Sequence, residues 1–258
     1  KNYRWAMLVQ RCGSAMRFEE LTYEEIRQRA AEGCLAILPV GCTEQQGPHL
    51  TVDFDSWFAQ QLMEAAAARA REEYGVCALV LPAIPFGPTP EHRNYGAGFI
   101  DIPVVVHEQL IEAILASLAD QGFKRILLWR GCGGHELRGV VDRFNAAGQA
   151  SVSLPEHPYH AIWCRLADPA VPGGHADSFA TSISLYLRPR AVRRDRILSP
   201  DNRPVDWEQP DLDFTSYSST GVIGDPTKAS RELGAQLWEA TVEAAANAIR
   251  EASFEQLP

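Results

Sequence analysis

The stretch "CLAILPVGCTEQQGPHLTVDFD" (residues 34–55) decides the fold. It runs from a wholly apolar segment into a polar loop, and then directly into "SWFAQQLMEAAAARAREEYG" (56–75), where Trp57, Phe58, Leu62 and Ala65 recur at helical spacing and Gly75 ends the run. An unbroken apolar run of strand length suits a strand buried on both faces, and a following helix suits a parallel sheet covered by helices. Upstream, "LTYEEIRQRAAEG" (21–33) reads as a short helix with Thr22 as N-cap, Glu25 at the capping-box position and Gly33 as terminator.

The same alternation continues. "VCALVLPAI" (76–84) and "KRILLW" (124–129) read as second and third strands, and "ASVSL" (150–154) as a fourth. Between them, "PVVVHEQLIEAILASLADQGF" (103–123) places Val105, Leu110, Ile114 and Leu118 near helical periodicity, with Gly122 as terminator. "LRGVVDRFNAAG" (137–148), "GGHADSFATSISLYLRP" (173–189) and "SRELGAQLWEATVEAAANAIREAS" (230–253) supply further helices. The segment 199–219 is rich in turn-formers and reads as a long loop that either covers a site or meets a neighbouring subunit.

A chain of 258 residues with 46% hydrophobic and 22% charged residues has the make-up of a folded globular protein, expected as one domain over 1–258. A net charge of -9 with scattered Lys and Arg disfavours a nucleic-acid or anionic-membrane surface and points to a small-molecule partner. The start "KNYRWAMLVQRCGSAMRF" lacks a signal-peptide pattern and no run is long enough to span a bilayer, so a cytoplasmic protein is expected. Cys12, Cys34, Cys42, Cys77, Cys132 and Cys164 form no CxxC pair and are expected as reduced thiols, mostly buried.

Three polar clusters follow the strands: Glu44, His49, Asp53 and Asp55; Glu91 and His92; Cys132, His135 and Glu136. In a parallel sheet, loops beyond the strands' carboxyl ends open on one edge, so these groups can converge. Carboxylate, imidazole and thiolate donors suit zinc-like cations, and Glu44, Asp55 and one of Cys132 or His135 would hold an ion with a position left for water. Taken singly, each residue has a plainer reading: Asp55 is a natural N-cap, the histidines suit loop hydrogen bonds, and the glycines of "RGCGGHE" (130–136) suit a tight turn.

In "LPVGCTEQQGPHLTVDFD" (38–55) the residues resemble the metal loop of the creatininase family, whose pattern is P-x-G, then E-x-H-G-x-H-L-P, then an aspartate. The likeness extends through "RFEELTYEEI" (17–26), "TPEHRNYGAGF" (89–99), "GFKRILLWRGCGGHE" (122–136), "GGHADSFATS" (173–182) and "TGVIGDPTKAS" (220–230). It implies a three-layer α/β/α sandwich with a mostly parallel sheet, and a homo-oligomer with a hexamer as the favoured size. It also implies a divalent metal, with zinc first and manganese or iron as alternatives.

The family's five ligand positions fall here on Glu44, Gln46, Asp55, Cys132 and Gly134, of which two are unchanged. Gln46 is a poor ligand and Gly134 none, so a single ion is expected, held by Glu44, Asp55 and Cys132 or His135. His49, His92 and His175 are the candidate proton carriers, and Gln46, Arg93, Arg130 and Ser178 the candidate substrate contacts. Ser178 and Ala180 replace family glutamates.

The expected activity is metal-dependent hydrolysis of a C–N bond in a small polar cyclic amide or amidine, with creatinine itself disfavoured by the changed ligands. A carbohydrate-derived ketone or lactone is a further substrate class. Two other readings stand beside it: a Cys132 nucleophile with His135 or His175 as base, and a non-catalytic scaffold that has lost its ligands.

Overall fold

The computed structural model describes residues 17–254. The expectations about the start of the chain, and Cys12 with them, lie outside those residues. Helix α1 (Tyr23–Ala31) opens on the expected capping box: Thr22 accepts from the Glu25 amide and the Glu25 side chain accepts from the Thr22 amide. Strand β1 (Leu35–Val40) then runs through the centre of a four-stranded parallel sheet in the order β2-β1-β3-β4, with β2 (Ala78–Val80), β3 (Arg125–Arg130) and β4 (Ser151–Ser153).

The period of two along the central strands builds two cores. Leu35 and Ile37 of β1, with Leu127 and Trp129 of β3, face helices α2 (Phe54–Tyr74), α5 (Tyr159–Ala167), α6 (Ser178–Leu187) and α7 (Arg231–Phe254). Ala36, Leu38 and Val40, with Ile126 and Leu128, face α1, α3 (Val104–Asp120) and α4 (Arg138–Ala146). Both faces of β1 are buried, which is why its sequence reads as a continuous apolar run rather than an alternating one. The architecture is the expected α/β layering.

Several details differ from the sequence reading. The second strand is only three residues long, because Pro82 interrupts the ladder after Leu81; pairing resumes at Ile84, whose amide donates to the Pro39 carbonyl at 3.0 Å. Helix α3 buries His107, Ile111, Leu115, Leu118 and Ala119, a face rotated from the expected one, and Val105 and Leu110 are exposed. Its first turn carries three consecutive valines, Val104 to Val106, all exposed, so apolar positions alone do not select the buried stripe. Helix α5 has no counterpart in the sequence reading.

Cys34 and Cys77 form a disulfide, contrary to the expectation of reduced thiols. Each precedes a strand, and Leu35 pairs in register with Ala78, so the parallel ladder brings the two Cα atoms to 4.8 Å although the residues lie 43 apart in sequence. The free cysteines among the described residues are Cys42, Cys132 and Cys164.

The carboxyl ends of β1 and β3 meet the first turn of α2 at two glycines. A Cβ on Gly41 would overlap the backbone of Ser56, and one on Gly131 would lie 2.7 Å from the Asp55 carbonyl oxygen. Helix α2 starts at Phe54, two residues earlier than expected, with Asp53 in the N-cap position. Asp55 is therefore not a cap: it lies inside the first turn, buried at the mouth of the sheet. The Asp53 side chain instead binds Arg188 and Thr51.

Candidate metal centre

Beyond Val40 the chain stays extended, and Cys42, Glu44 and Gln46 occur at every second residue. That spacing directs all three to one side. Glu44, 3% exposed, is the hub. The Cys42 Sγ lies 3.1 Å from Glu44 Oε2 and 3.4 Å from Asp55 Oδ2. The Gln46 amide donates to Glu44 Oε1 at 3.2 Å and to Asp55 Oδ2 at 2.9 Å, spanning the two carboxylates.

Two other loops close on this hub. From the 3-10 turn at Pro90–Tyr95, His92 brings Nε2 to 3.4 Å from Glu44 Oε2 and 3.5 Å from Glu91 Oε1, without hydrogen-bond alignment to either. Just before α6, His175 brings Nδ1 to 3.3 Å from Glu44 Oε1, while its Nε2 lies 2.7 Å from the Gln45 carbonyl. Gln45 touches both rings: its amide nitrogen lies 3.0 Å from His92 Nδ1 and 3.4 Å from His175 Nε2 and donates to the Gly221 carbonyl, and its oxygen accepts from the Gly47 amide.

The loop after β3 supplies Cys132, with Sγ 4.0 Å from Glu44 Oε2, and His135, only 1% exposed. The His135 ring fills a notch that exists because residue 87 is glycine; a Cβ there would meet His135 Cε1 at 2.5 Å. Neither ring nitrogen of His135 is in hydrogen-bond geometry with a partner, although the Pro88 carbonyl approaches.

Burial and mutual charge set the protonation of this cluster. Burial pushes the Asp55 carboxyl well up, and the Glu44 charge adds to it. Burial acts the same way on Glu44, but His92 and His175 outweigh it and keep Glu44 ionised. Burial draws His92 down, yet Glu44 and Glu91 prevail and lift it to about 9. Burial lowers His175 to about 4. Contact with Cys42 lowers the Cys132 thiol, but burial and the charges of Glu44 and Asp55 prevail and push it up to about 11.

That last value bears on the nucleophile reading. Residues 133–137 separate Cys132 from α4, so its thiol does not sit on a helix N-terminus, and the buried carboxylates beside it oppose thiolate formation in the absence of a cation.

The candidate residues from sequence divide clearly. Glu44, Asp55, Cys132, His135, Gln46, His92 and His175 are brought together. His49 is fully buried but bonds Thr181 of α6 through Nε2 at 2.8 Å, and Ser178 accepts from the Trp163 indole at 2.9 Å. Arg93 pairs with Asp101, and Arg130 with Glu156 and the His135 carbonyl. Cys42 and Gln45 were missed. The alternation from Gly41 onward could have flagged Cys42; Gln45 carries no such signal.

The loop 199–219 covers the site. Phe214, 3% exposed, packs its ring 5.0 Å from His92 and 5.4 Å from His175, with Trp207 behind it at 5.8 Å. Asn94 donates to Asp213, and the Tyr95 hydroxyl to the Ser218 carbonyl, which fixes the loop on the 3-10 turn that carries His92.

The donors fit a divalent cation. Three triads have ligand atoms within 4.8 Å of one another: Cys42–Cys132–His135, Glu44–His92–His175 and Cys42–Glu44–Asp55, all buried. Unpartnered buried nitrogens on His92 and His135 point the same way. Among the described residues no helix is long and apolar enough to cross a membrane.

The family model described as Creatininase, creatinine amidohydrolase, matches residues 19–249. The mycofactocin precursor peptide peptidase of Mycobacterium tuberculosis (strain H37Rv) is 31% identical over 222 residues, covering 80% of this chain and 81% of that one. Creatinine amidohydrolase of Pseudomonas putida is 28% identical, covering 90% and 95%. A solved mutant creatininase of Zn-Zn type superposes with a TM-score of 0.80 at 24% identity, over 94% of this chain and all of that one. The family model covers most of the chain and the relatives agree with it, and the chain belongs to the creatininase family of hydrolases.

Proposed function

We propose that this protein is a metal-dependent hydrolase that cleaves the C–N bond of a small polar amide or amidine through one principal ion. The observation that supports it is the convergence of Glu44, Asp55, Cys132, His92 and His175 in one buried pocket at the carboxyl ends of β1 and β3. A divalent ion held there, with Cys132 among its ligands, would supply Lewis acidity and make hydroxide accessible near neutral pH.

The chain's own groups do the rest. His92, held between Glu44 and Glu91, is placed to move a proton at Nε2. His175 has its Nε2 tied to the Gln45 carbonyl, which leaves Nδ1 facing the Glu44 carboxylate. In hydrolysis the water gives a proton to the neutral His175 at Nδ1, its oxygen bonds the carbonyl or amidine carbon, the C–N bond breaks, and the departing nitrogen takes a proton from the charged His92. Phe214 shields both rings from bulk water. The kinship to a peptide peptidase adds short peptides to the cyclic amides as substrates worth assaying.

One observation favours the scaffold reading as a second choice: the Gln46 amide already bridges Glu44 and Asp55, as a cation would. Metal analysis separates the two. Near-stoichiometric zinc, lost in Cys132→Ala together with hydrolysis of an amide and peptide panel, is the expected result. A protein purified without metal, and inert with added zinc or manganese, would establish the scaffold.

A further inference from the structure

We propose that Cys42, Cys132 and His135 form a thiolate metal position of Cys2His type, so that the ion is gripped by sulfur at the end of the pocket facing Gly87. This rests on the reading that the pocket holds a metal, and adds which donors bind it and which metals it selects.

The sulfurs of Cys42 and Cys132 and one imidazole nitrogen of His135 lie within 4.8 Å of one another, and all three residues are buried. Around a tetrahedral zinc with Zn–S near ~2.3 Å and Zn–N near ~2.0 Å, ligand atoms stand roughly 3.5–3.8 Å apart, so an inward shift of about 1 Å at most completes the set. Two thiolates and an imidazole with a fourth position open is a known catalytic zinc arrangement.

Independent support comes from His135. Its ring is 1% exposed, and both nitrogens lack a hydrogen-bond partner, a costly state for a buried imidazole unless something accepts its lone pair. The chain makes room for it in that orientation, since any side chain at Gly87 would occupy the ring's place. Gln46 points the same way from the other end of the pocket. Its amide occupies the space between the Glu44 and Asp55 oxygens, which makes a position held by carboxylates alone less open than the sulfur end.

Cys42 links the two ends. With an ion bound, Cys42 and Cys132 each lose their thiol proton to solvent, and two new metal–sulfur bonds replace the contacts of Cys42 with Glu44 and Asp55. The freed carboxylate oxygens then face the open fourth position as proton acceptors. Sulfur ligation selects zinc, cobalt(II) or cadmium over manganese and magnesium.

Cobalt(II) titrated into the reduced, chelator-stripped full chain under anaerobic conditions tests this directly. A near-UV sulfur-to-cobalt charge-transfer band should appear, falling by about half in Cys42→Ser and in Cys132→Ser, since each removes one of two thiolates. His135→Ala should keep the band but weaken cobalt binding at least about tenfold. Glu44→Gln should leave the band in place. Cobalt bound with no such band, or with a band unchanged in Cys42→Ser, overturns the proposal; if hydrolysis with added metal persists in that case, the hydrolase reading survives alone. Failure to bind cobalt or zinc in equilibrium dialysis overturns both. The wild-type spectrum is decisive even if a variant does not fold.

Discussion

Gln46 shows how one side chain changes the chemistry of a pocket while leaving its shape intact. Its amide donates to both carboxylates and holds them at the distance an ion would, but it offers no lone pair of comparable strength. Gly134 is the second departure: a Cβ there would meet Cys132 Sγ and Glu91 Oε1 at 3.8 Å, ordinary van der Waals contact, so a side chain fits. The pair Gln46→His with Gly134→Glu should therefore raise the bound metal by about one ion per chain, read by elemental analysis after dialysis, with little loss of thermal stability. Asp177, the N-cap of α6, gives a second residue-scale expectation. Burial raises its carboxyl from 3.8 to about 6 despite bonds from the Phe179 and Ala180 amides. Its folded pKa lies above the unfolded one, so its contribution to stability is fully present below about 3.8 and is lost as pH rises through about 6. Asp177→Asn keeps the cap without the charge, and should stabilise the protein at pH 7–8 by about 1–3 kcal/mol and flatten the slope of melting temperature between pH 4 and 6.

At the scale of elements, the sequence made some features plain and hid others for physical reasons. The strands at 34–40 and 124–129, the capping box of Thr22 and Glu25, and the placing of Glu44, Asp55, His92 and Cys132 past strand ends were legible because they depend on local pattern. The Cys34–Cys77 bridge was not, because it depends on the register of β1 against β2, and the buried face of α3 was not, because its opening valines are exposed while His107 is buried. Cys42 was hidden by its own type, since a lone cysteine after a strand is most often packing. Nor does the sequence reveal how closely α6 and α7 pack. The two helices touch at Gly234, where a Cβ would overlap the Ser182 carbonyl. Gly234→Ala adds helix propensity but forces these elements apart, and should lower stability by about 1–3 kcal/mol in denaturant unfolding. A stability equal to or above that of the parent chain would show that α7 can shift at no cost.

Across the whole molecule, the pocket joins segments that the sheet alone does not hold together. Cys42, Glu44 and Asp55 come from the β1-to-α2 connection, His92 from the loop after β2, Cys132 and His135 from the loop after β3, and His175 from the entry to α6. An ion bound by such groups favours the folded chain over the unfolded one by RT ln(1 + [L]/Kd), about 4 kcal/mol at a thousandfold excess over Kd. Since the two cores flank one sheet, we expect a single cooperative transition rather than two. Chelation should lower its midpoint by roughly 8–16 °C, taking about 2–4 °C per kcal/mol for a chain of this size. Cys132→Ala should melt near the chelated protein and respond little to added zinc. A midpoint indifferent to both chelator and zinc in the parent chain would mean that no ion binds the folded pocket, and the hydrolytic role of Glu44, Asp55 and Cys132 would fall with it.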